Sequence, residues 1–230
     1  MKIQAKARIW LVLSVLMAGL AAISLPFFIV AVACEFALWW ACGPLAVKAF
    51  GATPSSPSAH PRLHNYVSLL ADEAGIPIPK LYTAPMNGTL NAAASGRSPR
   101  HAVVIVSTEL LETASDRQLK GVLAHELGHI ANRDAAIMAV VTAIAYLFVL
   151  IAYVVGQGDE HHPSPAFVAI AVMGAALLQA AVSRHRELVA DKFGAVLAGD
   201  PDGLGDALQM MEKHSSGMRT ATSPALSALQ

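Results

Sequence analysis

A mainly α-helical integral membrane protein is what this chain calls for, with four spans and a polar region that carries a small antiparallel β-sheet. Of its 230 residues 55% are hydrophobic and only 14% charged, where a soluble domain carries about 25% charged residues. The mean hydropathy is +0.51. Long runs without charge alternate with short polar stretches, and the longest polar stretch contains three β-prone pieces.

Ile9–Leu25 is an uncharged apolar run, and after Pro26 the run Phe27–Val47 has a single charge, Glu35. Ala135–Gly156 and Ala166–Ser183 have none. A bilayer core of ~30 Å is crossed by about 20 helical residues, so each run is a candidate span. The first is too long for the apolar part of a signal peptide, about 7–15 residues. Residues 1–50 are therefore expected to form a retained hairpin turning near Pro26, and residues 135–183 a second one.

Residues 51–134 lie between the hairpins. GATPSSPSAHPR reads as a linker. In LHNYVSLLADEAG, Leu63, Val67, Leu70 and Ala74 recur at helical spacing before a glycine stop. Lys80–Ala84, Thr89–Ala94 and His101–Ser107 read as strands separated by turns. A short helix over Ser107–Thr113 follows. Ser115 and Gln118 then form a capping box that opens DRQLKGVLAHELGHIANRD, a helix expected to run on into the third span. After the fourth span comes the segment 184–213, in which RHRELVADKFGAVLAG reads as another helix stopped by Gly199-Asp200-Pro201, and 214–230 reads as a flexible tail.

Lys2, Lys6, Arg8, Lys48, Arg133, Arg184 and Arg186 border the spans, and the loop QGDEHHPSP has no Lys or Arg. By the positive-inside rule, both termini and the polar region are expected in the cytoplasm. The zero formal net charge gives no sign of nucleic acid binding. Cys34 and Cys42 are eight residues apart in one span, or ~12 Å along a helix, too far for a disulfide.

His125 and His129 are four apart on a predicted helix, so both rings can face one metal ion. Glu126, turned ~100° from His125, can reach a water on that metal without binding it, which is the HExxH zinc-peptidase arrangement. Leu119, Val122, Leu123, Leu127 and Ile130 form an apolar stripe on this helix. Gly121, Ala124, Gly128, Ala131 and Ala135 form a small-residue face open to close packing. A third ligand is needed, and RELVAD supplies Glu187, with Asp191 one turn on to orient a ligating imidazole. Two predicted spans separate His129 from Glu187, which returns both to one side of the bilayer.

The runs AGIPIPKLY, LNAAASGR, VLAHELGHIANRD and SRHRELVAD together resemble the HtpX family of bacterial membrane zinc proteases, gluzincins related to the eukaryotic CAAX prenyl proteases. The resemblance covers residues 1–213. It implies a zinc endopeptidase of the bacterial inner membrane, with one Zn2+ per chain, facing the cytoplasm and acting in the stress response on misfolded or damaged membrane proteins. On it, His125, His129 and Glu187 match the zinc ligands and Glu126 the catalytic acid/base. Asn91, Ala92, Ala93 and Ala94 match the family's substrate-side strand. Ala93 stands where the family usually has an aromatic, and the family's C-terminal Thr-His-Pro-Pro segment has no counterpart in the 230 residues.

The remaining polar residues have plainer readings. His60 and His64 flank Pro61 without an adjacent glutamate, and His161 and His162 fall in a loop. Glu35 within a span is costly and points to an interior cavity or a polar partner such as Gln179. Arg184 and His185 read as interface anchors. Two rival functions are a protease cutting within the bilayer and a catalytically silent zinc-binding scaffold or chaperone. Lys120, Asn132, Arg133 and Asp134 around the motif argue against the first, and an intact Glu126 against the second.

Overall fold

The computed structural model describes residues 25–155 and 165–221. The expected span Ile9–Leu25 and the histidines 161 and 162 lie outside that range, except for Leu25 itself. Seven α-helices and four strands follow in order: α1 (Leu25–Ala49), β1 (Thr53–Pro54), α2 (Pro61–Glu73), β2 (Lys80–Ala84), β3 (Ala92–Ser95), β4 (Val103–Ser107), α3 (Thr108–Thr113), α4 (Asp116–Ala131), α5 (Asp134–Val155), α6 (Pro165–Ala198) and α7 (Pro201–Ala221). Among the described residues three stretches are long and apolar enough to cross a membrane: Phe28–Ala49, Asp134–Val154 and Ala166–Ala198.

The chain divides into two compact units: residues 1–41 with 134–187, and residues 42–133 with 188–230. In the first, Ala31 of α1, Ala145, Tyr146 and Val149 of α5 and Ala175 of α6 form a buried apolar cluster. Small residues in that set let the helices approach without help from water-driven burial, as membrane helices require. Near the start of α5, the buried Asp134 pairs with Arg186 of α6 at 3.2 Å. Gln179 is buried and Glu35 half-buried on their helices.

In the second unit the sheet order is β1-β2-β4-β3. The expected all-antiparallel sheet is corrected here: β2 pairs with β4 in parallel, while β1–β2 and β3–β4 are antiparallel. The cause is burial. β4, VVIVS, is buried at every position and takes the centre, whereas β3, AAAS, has little to bury and goes to the edge. The linker also yields a short strand, β1, that its Pro/Ser composition conceals.

Helix α2 buries Leu63, Val67, Leu70 and Ala71 and ends before Gly75, whose φ of 65° reverses the chain. Ser107 caps α3 by accepting from the Leu110 N–H. The capping box of Ser115 and Gln118 opens α4 with both reciprocal bonds present. Leu119, Leu123 and Leu127 of α4 are fully buried in one core with Val104 and Val106 of β4 and Leu70 of α2.

Three helix boundaries differ from those expected. Helix α4 does not run into the third span: it stops at Ala131, and Arg133 takes a left-handed φ of 54° before α5 begins. The fourth span and the helix after it are one unbroken helix of 34 residues, ~51 Å long. That length exceeds the ~30 Å hydrocarbon core, so one end must project from it. Helix α7 continues to Ala221, past the expected start of a flexible tail at 214.

The start of α7 is fixed by charge. Asp200 caps it, accepting from the Asp202 and Gly203 N–H groups, and pairs with Arg117 of α4, which also reaches Asp202 and Asp206. The Arg117 guanidinium lowers the Asp200 carboxyl to about 2, below its ordinary value near 3.8. A carboxyl lowered on folding stabilises the fold above its unfolded pKa, and that contribution fades as pH falls through the folded value. Thermal melts should therefore show an acid-sensitive loss between about pH 4 and 2 that Asp200→Asn removes. An unaltered pH profile in that variant would contradict the assignment.

Candidate metal and catalytic site

The small-residue face of α4 is where the neighbouring helices come closest. A Cβ built on Gly121 would sit 2.6 Å from the Leu204 backbone nitrogen of α7. One on Gly128 would meet Phe193 and Ala190 of α6 at 3.3 and 3.4 Å. Gly194 of α6 lies directly over the first histidine, with a built Cβ only 2.9 Å from both the nitrogen and Cα of His125. At Gly194 backbone faces backbone, so α6 crosses α4 at that point with no side chain between them. Glu187 and Asp191 precede that crossing on the same helix, four residues apart and so on one face.

His125, His129 and Glu187 each offer a ligand atom within 4.8 Å of the others. The two imidazole Nε2 atoms are 3.1 Å apart. Two nitrogens on a tetrahedral centre with bonds of ~2.0–2.1 Å are about 3.3 Å apart, so the spacing suits a metal. His125 Nδ1 lies 2.9 Å from Asp191 Oδ1. The contact is one of ion-pair distance, with the Nδ1 N–H not aligned on the carboxylate as a hydrogen bond; a carboxylate beside Nδ1 favours the tautomer whose Nε2 lone pair faces His129. His125 is 8% exposed and Glu126 5%. Two histidines, a carboxylate and a half-buried setting form a donor set that fits zinc.

Glu126 points elsewhere, at the sheet. Its Oε2 accepts a hydrogen bond of 2.6 Å from the Ala94 N–H. The reason lies in the register of β3. The Ser107 N–H donates to the Asn91 carbonyl, so Asn91, Ala93 and Ser95 direct their backbone groups toward β4. Ala92 and Ala94 therefore direct theirs outward from the edge. Asn91 and Ala92 are buried, while Ala93 and Ala94 are half-buried. Of the four residues expected on the substrate side, only the Ala94 backbone has a hydrogen bond to helix α4.

Reading the sequence missed three supports. Gly194 hides in DKFGAV as an ordinary helical glycine. Asp134 and Arg186 flank two different spans, and their opposite charge on one side of the bilayer was a usable signal. The carboxylate of Glu109 accepts from the Met86 and Gly88 N–H groups, bracing the loop that enters β3. Although burial opposes ionisation there, those backbone donors hold the Glu109 carboxyl below its usual range. Near the other candidates, the Ser55 hydroxyl bridges His60 and His64 at 3.1 Å each. Arg184 and His185 are exposed.

Comparison with known proteins gives concordant findings. Residues 57–227 match peptidase family M48. The chain is 36% identical to a protease HtpX homolog of Nostoc punctiforme over 83% of this chain and 70% of that protein. It is 33% identical to another of Pelotomaculum thermopropionicum over 96% and 87%. The crystal structure of S. mikatae Ste24p shares the fold with a TM-score of 0.56 at 17% identity, across 81% of this chain and 49% of that one.

The Gly194 crossing yields a stability test. Gly194→Ala forces a methyl group against His125 backbone and should cost ~1–3 kcal/mol by overpacking, read as a lowered melting temperature and weaker zinc binding. Gly205→Ala, with open space around it, should leave both unchanged or gain slightly in stability. Equal behaviour of the two variants would show that the close crossing is not a constraint.

Proposed function

The chain belongs to peptidase family M48 and is a membrane metalloprotease, and we propose that it hydrolyses peptide bonds with Glu126 as general base at a zinc ion held by His125, His129 and Glu187. The observation that carries this is the convergence of those three ligand atoms within 4.8 Å beside a buried carboxylate.

Zinc, when bound, lowers the pKa of a coordinated water to about 7 and polarises a carbonyl. The chain's own groups do the rest. Glu126 takes the proton from the attacking water and returns it to the departing amine. It is buried enough that bulk water does not compete for its oxygens. Asp191 orients His125 through Nδ1, and the Gly194 crossing fixes the distance between the helices that carry the ligands.

An extended substrate adds as a further strand to the edge of β3 along Asn91–Ala94. Support comes from the outward backbone groups of Ala92 and Ala94 and from the Ala94 N–H beside Glu126. That N–H is already bonded to Glu126, so a substrate carbonyl that takes it would release the carboxylate toward water. Docking and activation of the base are thereby linked. Misfolded or damaged membrane proteins are the substrates proposed, with the site on the cytoplasmic side of a bacterial inner membrane. The basic residues bordering the spans favour that orientation.

Glu126→Gln should retain one zinc per chain yet lose cleavage of unfolded casein by several orders of magnitude. Undiminished cleavage would remove Glu126 from the chemistry. Asp191→Asn should weaken zinc binding roughly 10- to 100-fold, measured by competition with a chelator.

A further inference from the structure

Between Glu73 and Glu109 the chain has no acidic residue, yet it carries Lys80, Arg97, Arg100 and His101. The proposed chemistry uses none of them. The fold gathers these groups. The Lys80 N–H donates to the Ala102 carbonyl at 3.1 Å, which sets Lys80 beside the turn 96–102 that bears the other three. That turn is pinched shut. Gly96 has a φ of 153°, and a Cβ there would lie 2.6 Å from Ala102 Cα and 2.7 Å from the His101 oxygen. Only glycine lets the two ends of the turn meet so closely, and the result is a compact basic knob. Lys80, Arg100 and His101 are exposed. Ile78, two residues before Lys80, is 60% exposed.

The position of this knob is the second observation. A Cβ built on Gly43 of α1 would lie 3.5 Å from the His101 carbonyl oxygen and 3.7 Å from Val103 Cγ1. The knob therefore rests against α1, inside the candidate span Phe28–Ala49. One to two turns earlier on α1, Phe36, Trp39 and Trp40 stack with ring centroids 5.5–6.3 Å apart. Tryptophans of this kind collect at the headgroup level of a bilayer. Lys48, exposed, follows Gly43 in the last turn of the helix.

We infer that the turn 96–102, with Lys80 and Lys48, is a docking surface for anionic phospholipid headgroups. The guanidinium of Arg100 offers two parallel N–H groups to a phosphate, and Ile78 enters the boundary beneath the headgroups. Each basic group near an anionic bilayer surface favours contact about fivefold. The consequence reaches the active site through the chain, because the knob is the loop that leaves β3 at Ser95. Headgroups gripping it steady the strand whose Ala94 N–H meets Glu126. An acidic peptide would answer the same charges, but contact with Gly43 of α1, a helix long and apolar enough to cross a membrane, favours lipid. The inference rests on the membrane reading and is independent of the proposed proteolytic chemistry.

The test uses the full chain in phosphatidylcholine bilayers with trace spin-labelled phosphatidylglycerol or spin-labelled phosphatidylcholine, read by electron paramagnetic resonance. The native protein should immobilise the anionic probe severalfold over the zwitterionic one. Lys80→Gln with Arg100→Gln should lose most of that preference, about fivefold per charge for lipid at the knob. Lys80→Arg with Arg100→Lys should keep it. A native protein without preference, or a doubly neutralised one with preference intact, overturns the inference. So does a double variant that loses cleavage of an acidic peptide in pure phosphatidylcholine, which would mark a peptide site.

Discussion

Everything at the candidate site depends on how closely helix α6 crosses helix α4. Gly194 opposes the backbone of His125, while Gly128 is covered by the Phe193 ring and the Ala190 backbone, so the two helices meet backbone to backbone at Gly194. A separation larger by one methyl group would carry Glu187 and Asp191 away from the two imidazoles. The four-residue spacings of His125–His129 and Glu187–Asp191 put each pair on one helix face, but only this crossing turns the faces toward each other. Metal binding and helix packing are thus one constraint.

That constraint explains the shape of α6. A helix unbroken from Pro165 to Ala198 is rigid from its apolar part to the turn bearing Glu187. Asp134 and Arg186 pair next to that turn, in surroundings where an unpaired charge would be costly. The ligand therefore stands on a stiff support held by an ion pair, with Asp191 one turn further on. Sites carried on such elements keep their geometry better than sites on loops.

The convergence of the candidate ligands was legible in the sequence because it is written in local spacing. HELGH and RELVAD specify helix faces, and the small residues Gly121 and Gly128 announced a close contact that α6 and α7 supply. What depends on competition between segments was not legible. Nothing in Lys80–Ala84 says that its neighbour will be β4 in parallel; that follows from VVIVS needing burial more than AAAS does. The change from apolar to charged residues at Arg184 looked like a boundary, yet no Gly or Pro lies between Ala175 and Phe193 to break the helix. Conversely, α4 breaks at Arg133 with no glycine or proline to signal it. The link from Glu126 to Ala94 was beyond reach as well, because it depends on the register of β3.

The central claim is that one zinc ion is bound by two imidazoles from α4 and one carboxylate from α6. X-ray absorption at the zinc edge measures it most directly. The account predicts one zinc per chain with two nitrogen neighbours at ~2.0–2.1 Å and oxygen completing the shell, and a shell that collapses when both His125 and His129 become alanine. Zinc bound at the same stoichiometry and with the same shell in that double variant would contradict it.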